Sequence, residues 1–106
     1  MDDKIFASLA AETLAAIESA LEACAADVDF ELMPGGILQI EFADGSQIII
    51  NRHAVAQEIW VAARAGGFHF RHDGAVWRDT RDNEELFAKL GRLLSEQAGE
   101  TINLAD

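Results

Sequence analysis

The chemistry this chain offers lies mainly in carboxylates, and they are bunched. Residues 1–31 hold Asp2, Asp3, Glu12, Glu18, Glu22, Asp27, Asp29 and Glu31 against one base, Lys4, a net charge of −7 that leaves −4 for the rest of the chain. Asp27, Asp29 and Glu31 alternate with Val28, Phe30 and Leu32, so on a strand they share one side at steps of about 6.5 Å. That spacing is too wide for one ion to be gripped by all three and suits a row of weak, partly hydrated sites. Carboxylate oxygens are hard ligands, matched to Ca²⁺, Mn²⁺, Fe²⁺ or Fe³⁺. Glu18 and Glu22 stand one helical turn apart, where they repel mildly, and beside the strand they make a second wall. The plainer reading of the same residues is a solvated face that keeps the protein in solution.

The other reactive side chains are sparse. No GxSxG, P-loop, GxGxxG, CxxC or HExxH pattern occurs, and Cys24 falls on the apolar stripe of a helix, where it reads as a small hydrophobe. His53, His69 and His72 include no pair at helical i, i+4 spacing, and His69 and His72 differ in strand parity, so they read as ordinary exposed histidines rather than metal ligands. Trp60 is the second candidate. On a strand over 58–63, Ile59, Val61 and Ala63 take the core side, which turns Glu58 and Trp60 to the open side, where a tryptophan anchors a protein partner. On a helix the same Trp60 is core. Trp77 reads as structural.

The elements that must hold these groups follow from periodicity. Phe6, Leu9, Ala10, Leu14, Ile17, Ala20, Leu21 and Cys24 recur at three- and four-residue steps, predicting a helix from Lys4 to Cys24. The period then changes to two. Val28, Phe30 and Leu32, then Leu38, Ile40 and Phe42 after Pro34-Gly35-Gly36, predict a hairpin. Asp44-Gly45 turns the chain into a third strand over Ser46–Arg52, and Asp73-Gly74 folds Phe68–Arg71 onto Val76–Arg78. The stretch 54–65 is ambiguous, because its alanines with Gln57 and Glu58 favour helix while Ile59-Trp60-Val61 before Gly66-Gly67 favours strand. Asp82 with Glu85 reads as the cap of a second helix that carries Leu86, Phe87, Leu90, Leu93, Leu94 and Gln97 inward and stops at Gly99. Two helices thus bracket sequential hairpins, which predicts an α+β two-layer sandwich with both helices on one sheet face and the other face open to water.

Composition agrees. The chain has 106 residues, half of them hydrophobic, with one proline, enough for a single domain over 1–106. A net charge of −11 argues against nucleic acid and for cations or a basic protein surface as partner. No apolar run approaches the length of a membrane span. One cysteine and an acidic start without a basic leader point to the cytoplasm.

Gly35-Gly36-Ile37-Leu38, Phe42-Ala43-Asp44-Gly45-Ser46, Ile48-Ile49-Ile50-Asn51-Arg52, Ile59-Trp60, Gly66-Gly67-Phe68-His69-Phe70 and Trp77 together resemble the frataxins, in register from the acidic first helix to Glu85-Leu86-Phe87. The resemblance implies an antiparallel sheet of about six strands with N- and C-terminal helices on one face, and it makes 58–63 a strand. It implies weak binding of ferrous and ferric iron on an acidic ridge, in the service of iron–sulfur cluster assembly. The partners it implies are a cysteine desulfurase and the cluster scaffold protein, with the chain an iron donor or a regulator of the desulfurase, and a monomer without iron.

Carried over by position, Asp3, Glu18, Glu22, Asp27, Asp29 and Glu31 fall on the ridge, Asn51 and Trp60 on the exposed sheet face, and Glu18 and Glu22 also serve the partner. The chain departs from the family pattern at Ala7, Ser19 and Ala23, in the short Cys24-Ala25-Ala26 connection, and at His53, Val55 and Glu58. A thinner ridge and a differently charged partner surface are therefore expected. Two alternatives stand beside this reading: a metal-independent acidic inhibitor or adaptor of the desulfurase, and a ferroxidase, which would want a di-iron site with an ExxH pair that the chain lacks.

Overall fold

The computed structural model describes residues 1–24 and 27–104, so the Cys24-Ala25-Ala26 connection lies in part outside the described residues. The apolar stripe winds Asp3–Ala23 into α1, started by Asp2, whose side chain accepts from the backbone N–H groups of Lys4 and Ile5. Phe6, Ala10, Leu14, Ile17 and Leu21 are its buried face. Cys24 caps the helix half-buried, with its thiol donating to the Leu21 carbonyl at 3.1 Å.

Six strands follow: β1 (Val28–Met33), β2 (Ile37–Phe42), β3 (Gln47–His53), β4 (Glu58–Ala63), β5 (Gly66–His72) and β6 (Trp77–Asp79). They pair in chain order, all antiparallel. Within the ambiguous stretch Glu58–Ala63 is a strand, which carries Ile59 and Val61 into the core, and 54–57 is the turn before it. In the β1–β2 turn Gly36 has φ +76°, a backbone that favours glycine, and a Cβ there would lie 2.7 Å from the Arg52 side chain, which would have to move.

Leu38, Ile40, Phe42, Ile48, Ile50, Ile59, Val61 and Phe70 point to the helix side and are buried there with the stripe of α1 and with Leu86, Leu90, Leu93 and Leu94 of α2 (Leu86–Ala98). Trp77 is core as expected, packed edge-on against Phe6 with its indole N–H donated to Thr13 at 2.8 Å. Beyond Gly99, which ends α2 at φ +73°, the chain turns back and buries Ile102 and Leu104, with Ser95 Oγ bridging to the Ile102 backbone. Among the described residues no helix is long and apolar enough to cross a membrane.

One expected cap is corrected. Glu85, not Asp82, caps α2, accepting from the N–H groups of Phe87 and Ala88. Asp82 is engaged elsewhere, by the Glu84 N–H and by Lys89 Nζ. Lys89 is 3% exposed and its ammonium donates to Asp79 Oδ2 at 2.6 Å and Asp82 Oδ2 at 2.5 Å, while lying over the Phe68 ring. Burial opposes charge on Asp79 and Lys89, but the mutual hydrogen bonds outweigh it: Asp79 is held below its ordinary 3.8 and Lys89 above its ordinary 10.5. Asp82 is lowered too, chiefly by its bond to Lys89.

Removing the ammonium leaves Asp79 buried without its cation, so Lys89→Met is expected to destabilise by about 3 kcal/mol, with partial recovery when Asp79→Asn is added, as read from urea unfolding. Because both carboxyls are depressed, their contribution is complete above pH 3.8 and lost as the pH falls through their lower folded values. Because Lys89 is raised, its contribution is complete below pH 10.5 and lost as the pH rises above it. Urea midpoints for the wild type should therefore change at those two ends, and Lys89→Met with Asp79→Asn should flatten both changes.

Candidate functional site

The flank of α1 toward β1 is marked by Ala11 and Leu14, which line a cleft with Leu32, Met33, Gly36 and Arg52. Glu18 and Glu22 follow Ala11 by seven and eleven residues, within about 20° of the same line along the helix. They are thus carried on the β1 side, Glu18 half-buried and Glu22 exposed. On β1, Asp29 and Glu31 are exposed and point to the open face of the sheet with Gln39 and Glu41, with which they line a shallow cleft. Asp29 sits directly opposite Glu41 in the register. Like charges at that separation oppose strand pairing. Glu41 was missed in the sequence reading; the alternation of β2 across the Pro34-Gly35-Gly36 hairpin is the signal that would have found it.

Ion pairing engages only part of the chain's acids. Among the described residues, Asp44 pairs with Arg64, Glu58 with Arg71, Asp73 with Arg78, Asp79 and Asp82 with Lys89, and Glu84 with Arg92 and Lys89. Among the described residues Glu18, Glu22, Asp29, Glu31 and Glu41 pair with no base, as is also true of Asp2, Asp3, Glu12, Asp27, Glu85, Glu96 and Glu100; what sets the first group apart is that Asp29, Glu31 and Glu41 lie together on one sheet face. Two of the expected ridge residues stand apart. Asp27 precedes β1 and lines a separate cleft with Asp44 and Glu100. Asp3 lies about 22 Å along α1 from Glu18, where its carboxylate accepts from Gln57 Nε2 at 3.0 Å. Among the described residues no three His, Cys, Asp or Glu side chains converge to hold one metal ion, so a cation here meets one or two carboxylates and water.

Across the open face, Asn51, Trp60 and His69 are cross-strand neighbours, and His53, Glu58 and Arg71 make the next row. Trp60 is half-buried because two histidines cover it: His53 stacks on one face at 3.9 Å between centroids and His69 on the other at 4.4 Å. These histidines are therefore not ordinary exposed residues. The reason is the antiparallel register, which sets His53 diagonally from and His69 directly beside the same indole. Glu58 is 7% exposed, with Oε1 accepting the Trp60 indole N–H at 2.9 Å and Oε2 accepting from Arg71 at 2.7 Å. Burial alone would raise its carboxyl, but those two donors and the Arg71 charge bring it below its ordinary 4.5.

A family model described as the frataxin-like domain matches residues 1–100. The iron-sulfur cluster assembly protein CyaY of Dechloromonas aromatica is 69% identical over 104 residues, covering 98% of this chain and 99% of the relative. The protein of the same name from Cupriavidus metallidurans is 49% identical over 107 residues, covering 98% and 96%. The solved structure of frataxin from Psychromonas ingrahamii superposes with a TM-score of 0.91 over the whole of both chains at 30% identity. By sequence and by fold, the chain belongs to the frataxin family.

Proposed function

We propose that this chain serves iron–sulfur cluster assembly by binding rather than by catalysis, holding iron loosely on its acidic edge and docking a cysteine desulfurase through that edge and the open sheet face around Asn51 and Trp60. The observation that carries the reading is the set of unpaired acids, above all Asp29 facing Glu41 with Glu31 beside them. Folding places like charges together and supplies no base to relieve them, so a cation from outside has the most to gain there. Ligands this exposed exchange readily, which suits iron that must be handed on. The names of the relatives and the family support work in cluster assembly; a bacterial cytoplasmic setting and the scaffold protein as a further partner belong to the same proposal.

In amide NMR during Fe²⁺ addition without oxygen, or Co²⁺ addition, Glu18, Glu22, Asp29, Glu31 and Glu41 should shift or broaden before the rest; uniform change across the chain would sink the iron reading. Glu41→Gln should weaken metal binding five- to thirty-fold, the equivalent of about 1–2 kcal/mol for one carboxylate near a divalent ion in water-like surroundings.

A second reading, a metal-independent acidic inhibitor or adaptor, draws support from the lack of any convergent ligand set among the described residues. Desulfurase binding measured with and without chelator separates the two. Binding that survives chelation and fades as salt rises to about 0.5 M favours the electrostatic adaptor, whereas binding that needs iron favours the donor.

A further inference from the structure

Trp60 stands at the centre of the open face, yet both sides of its indole are occupied by the protein's own rings. The two caps are held differently. His69 sits inside the sheet, between β4 and β6, with Nδ1 3.7 Å from Glu58 Oε1. His53 closes β3 at the edge of the 54–57 turn, and its Nδ1 accepts only the Ala56 N–H, at 3.2 Å. That turn faces solvent at Val55, which is 94% exposed, and holds Gln57 at a left-handed φ of +54°, so nothing packs over its outer side at that residue.

We infer that His53 is a displaceable cap and that the indole face beneath it receives an arginine side chain of a protein partner. The chemistry of the slot selects that occupant. A guanidinium is planar, as the imidazole is, and is the side-chain cation that stacks best on an indole. The rim of the slot is Glu58, directly opposite His53 in the register, and its Oε1 accepts only the indole N–H, with lone-pair capacity to spare. The chain as a whole carries −11, which favours a basic partner surface. A phenylalanine would gain nothing from Glu58, a neutral aromatic donor would gain no charge pairing with it, and a lysine has no plane to lay on the ring. The charged and titratable groups facing the slot are Glu58 from β4 and His69 and Arg71 from β5; across the turn, Gln57 leads to Asp3 at the start of α1. The inference rests on the open face being a partner surface.

The test uses the full chain and three short peptides, otherwise uncharged and alike except for a central Arg, Lys or Phe, titrated against wild type, His53→Ala and His53→Phe at fixed salt while the Trp60 indole N–H is followed by NMR. The Arg peptide should move that signal, bind at least five-fold tighter to His53→Ala and more weakly to His53→Phe, and the Lys and Phe peptides should show neither change. Equal responses to Arg and Lys, an equal gain for Phe, or shifts confined to Asp29, Glu31 and Glu41 would each overturn it. Amide spectra away from the β3–β4 turn check the fold of each variant, and the wild type against His53→Phe decides alone if His53→Ala does not fold. A desulfurase that ignores the wild type while the Arg peptide behaves as expected removes the desulfurase reading and leaves the slot; the converse removes the slot alone.

Discussion

Because α1 and α2 press on the same face of the sheet, every strand is sorted by its own alternation. Side chains of one parity, from Leu38 and Ile40 to Ile59 and Phe70, enter a dry interior, and those of the other parity are left to make a surface without any covering layer. Shifting any strand by one residue would exchange the two sets. The acidic edge and the stacked centre of the open face are both products of that one-sided burial, since neither could exist if a helix lay over them.

The surface so produced is electrically divided. Several acids near β5, β6 and α2 are matched with bases: Glu58 with Arg71, Asp73 with Arg78, Asp79 and Asp82 with Lys89. Along the edge made by α1, β1 and β2 none is, among the described residues. A carboxylate taken out of water needs compensation within the fold, which is why Glu58 and Asp79 have theirs. The exposed acids at the edge keep their hydration and survive uncompensated, at the cost of mutual repulsion. Burial with a partner base marks Glu58 and Asp79 as structural acids. The Lys89 network is of that kind: it ties the start of α2 to the end of β6 and so keeps the second helix on the covered face.

The fold was largely legible in the chain. Periods of 3.6 and 2 marked both helices and most strands, and Gly36 and Gly99 stand where the backbone turns left-handed. The least legible element was β4, whose composition suits either helix or strand; the family resemblance decided it, and packing of Ile59 and Val61 explains it. The Asp82 cap misled because a short carboxylate near a helix start serves equally well as a partner for a buried lysine, and only the position of Lys89 decides between those roles. In the candidate site, Asp29, Glu31, Glu18 and Glu22 could be read from spacing along one strand and one helix.

What the sequence determined by itself was local: which residues alternate, which recur each turn, and that charge of one sign gathers in the first 31 residues. What only the tertiary structure decided was pairing across the chain. Glu41 joins the acids of β1 through a hairpin register, Asp3 leaves them because a helix of 21 residues holds it at the far end, and His53 and His69 meet on Trp60 from two different strands. The physical reason is that periodicity reports which way a side chain faces, whereas its neighbours across a sheet are set by the register of strands distant in the chain, which no single stretch of sequence contains.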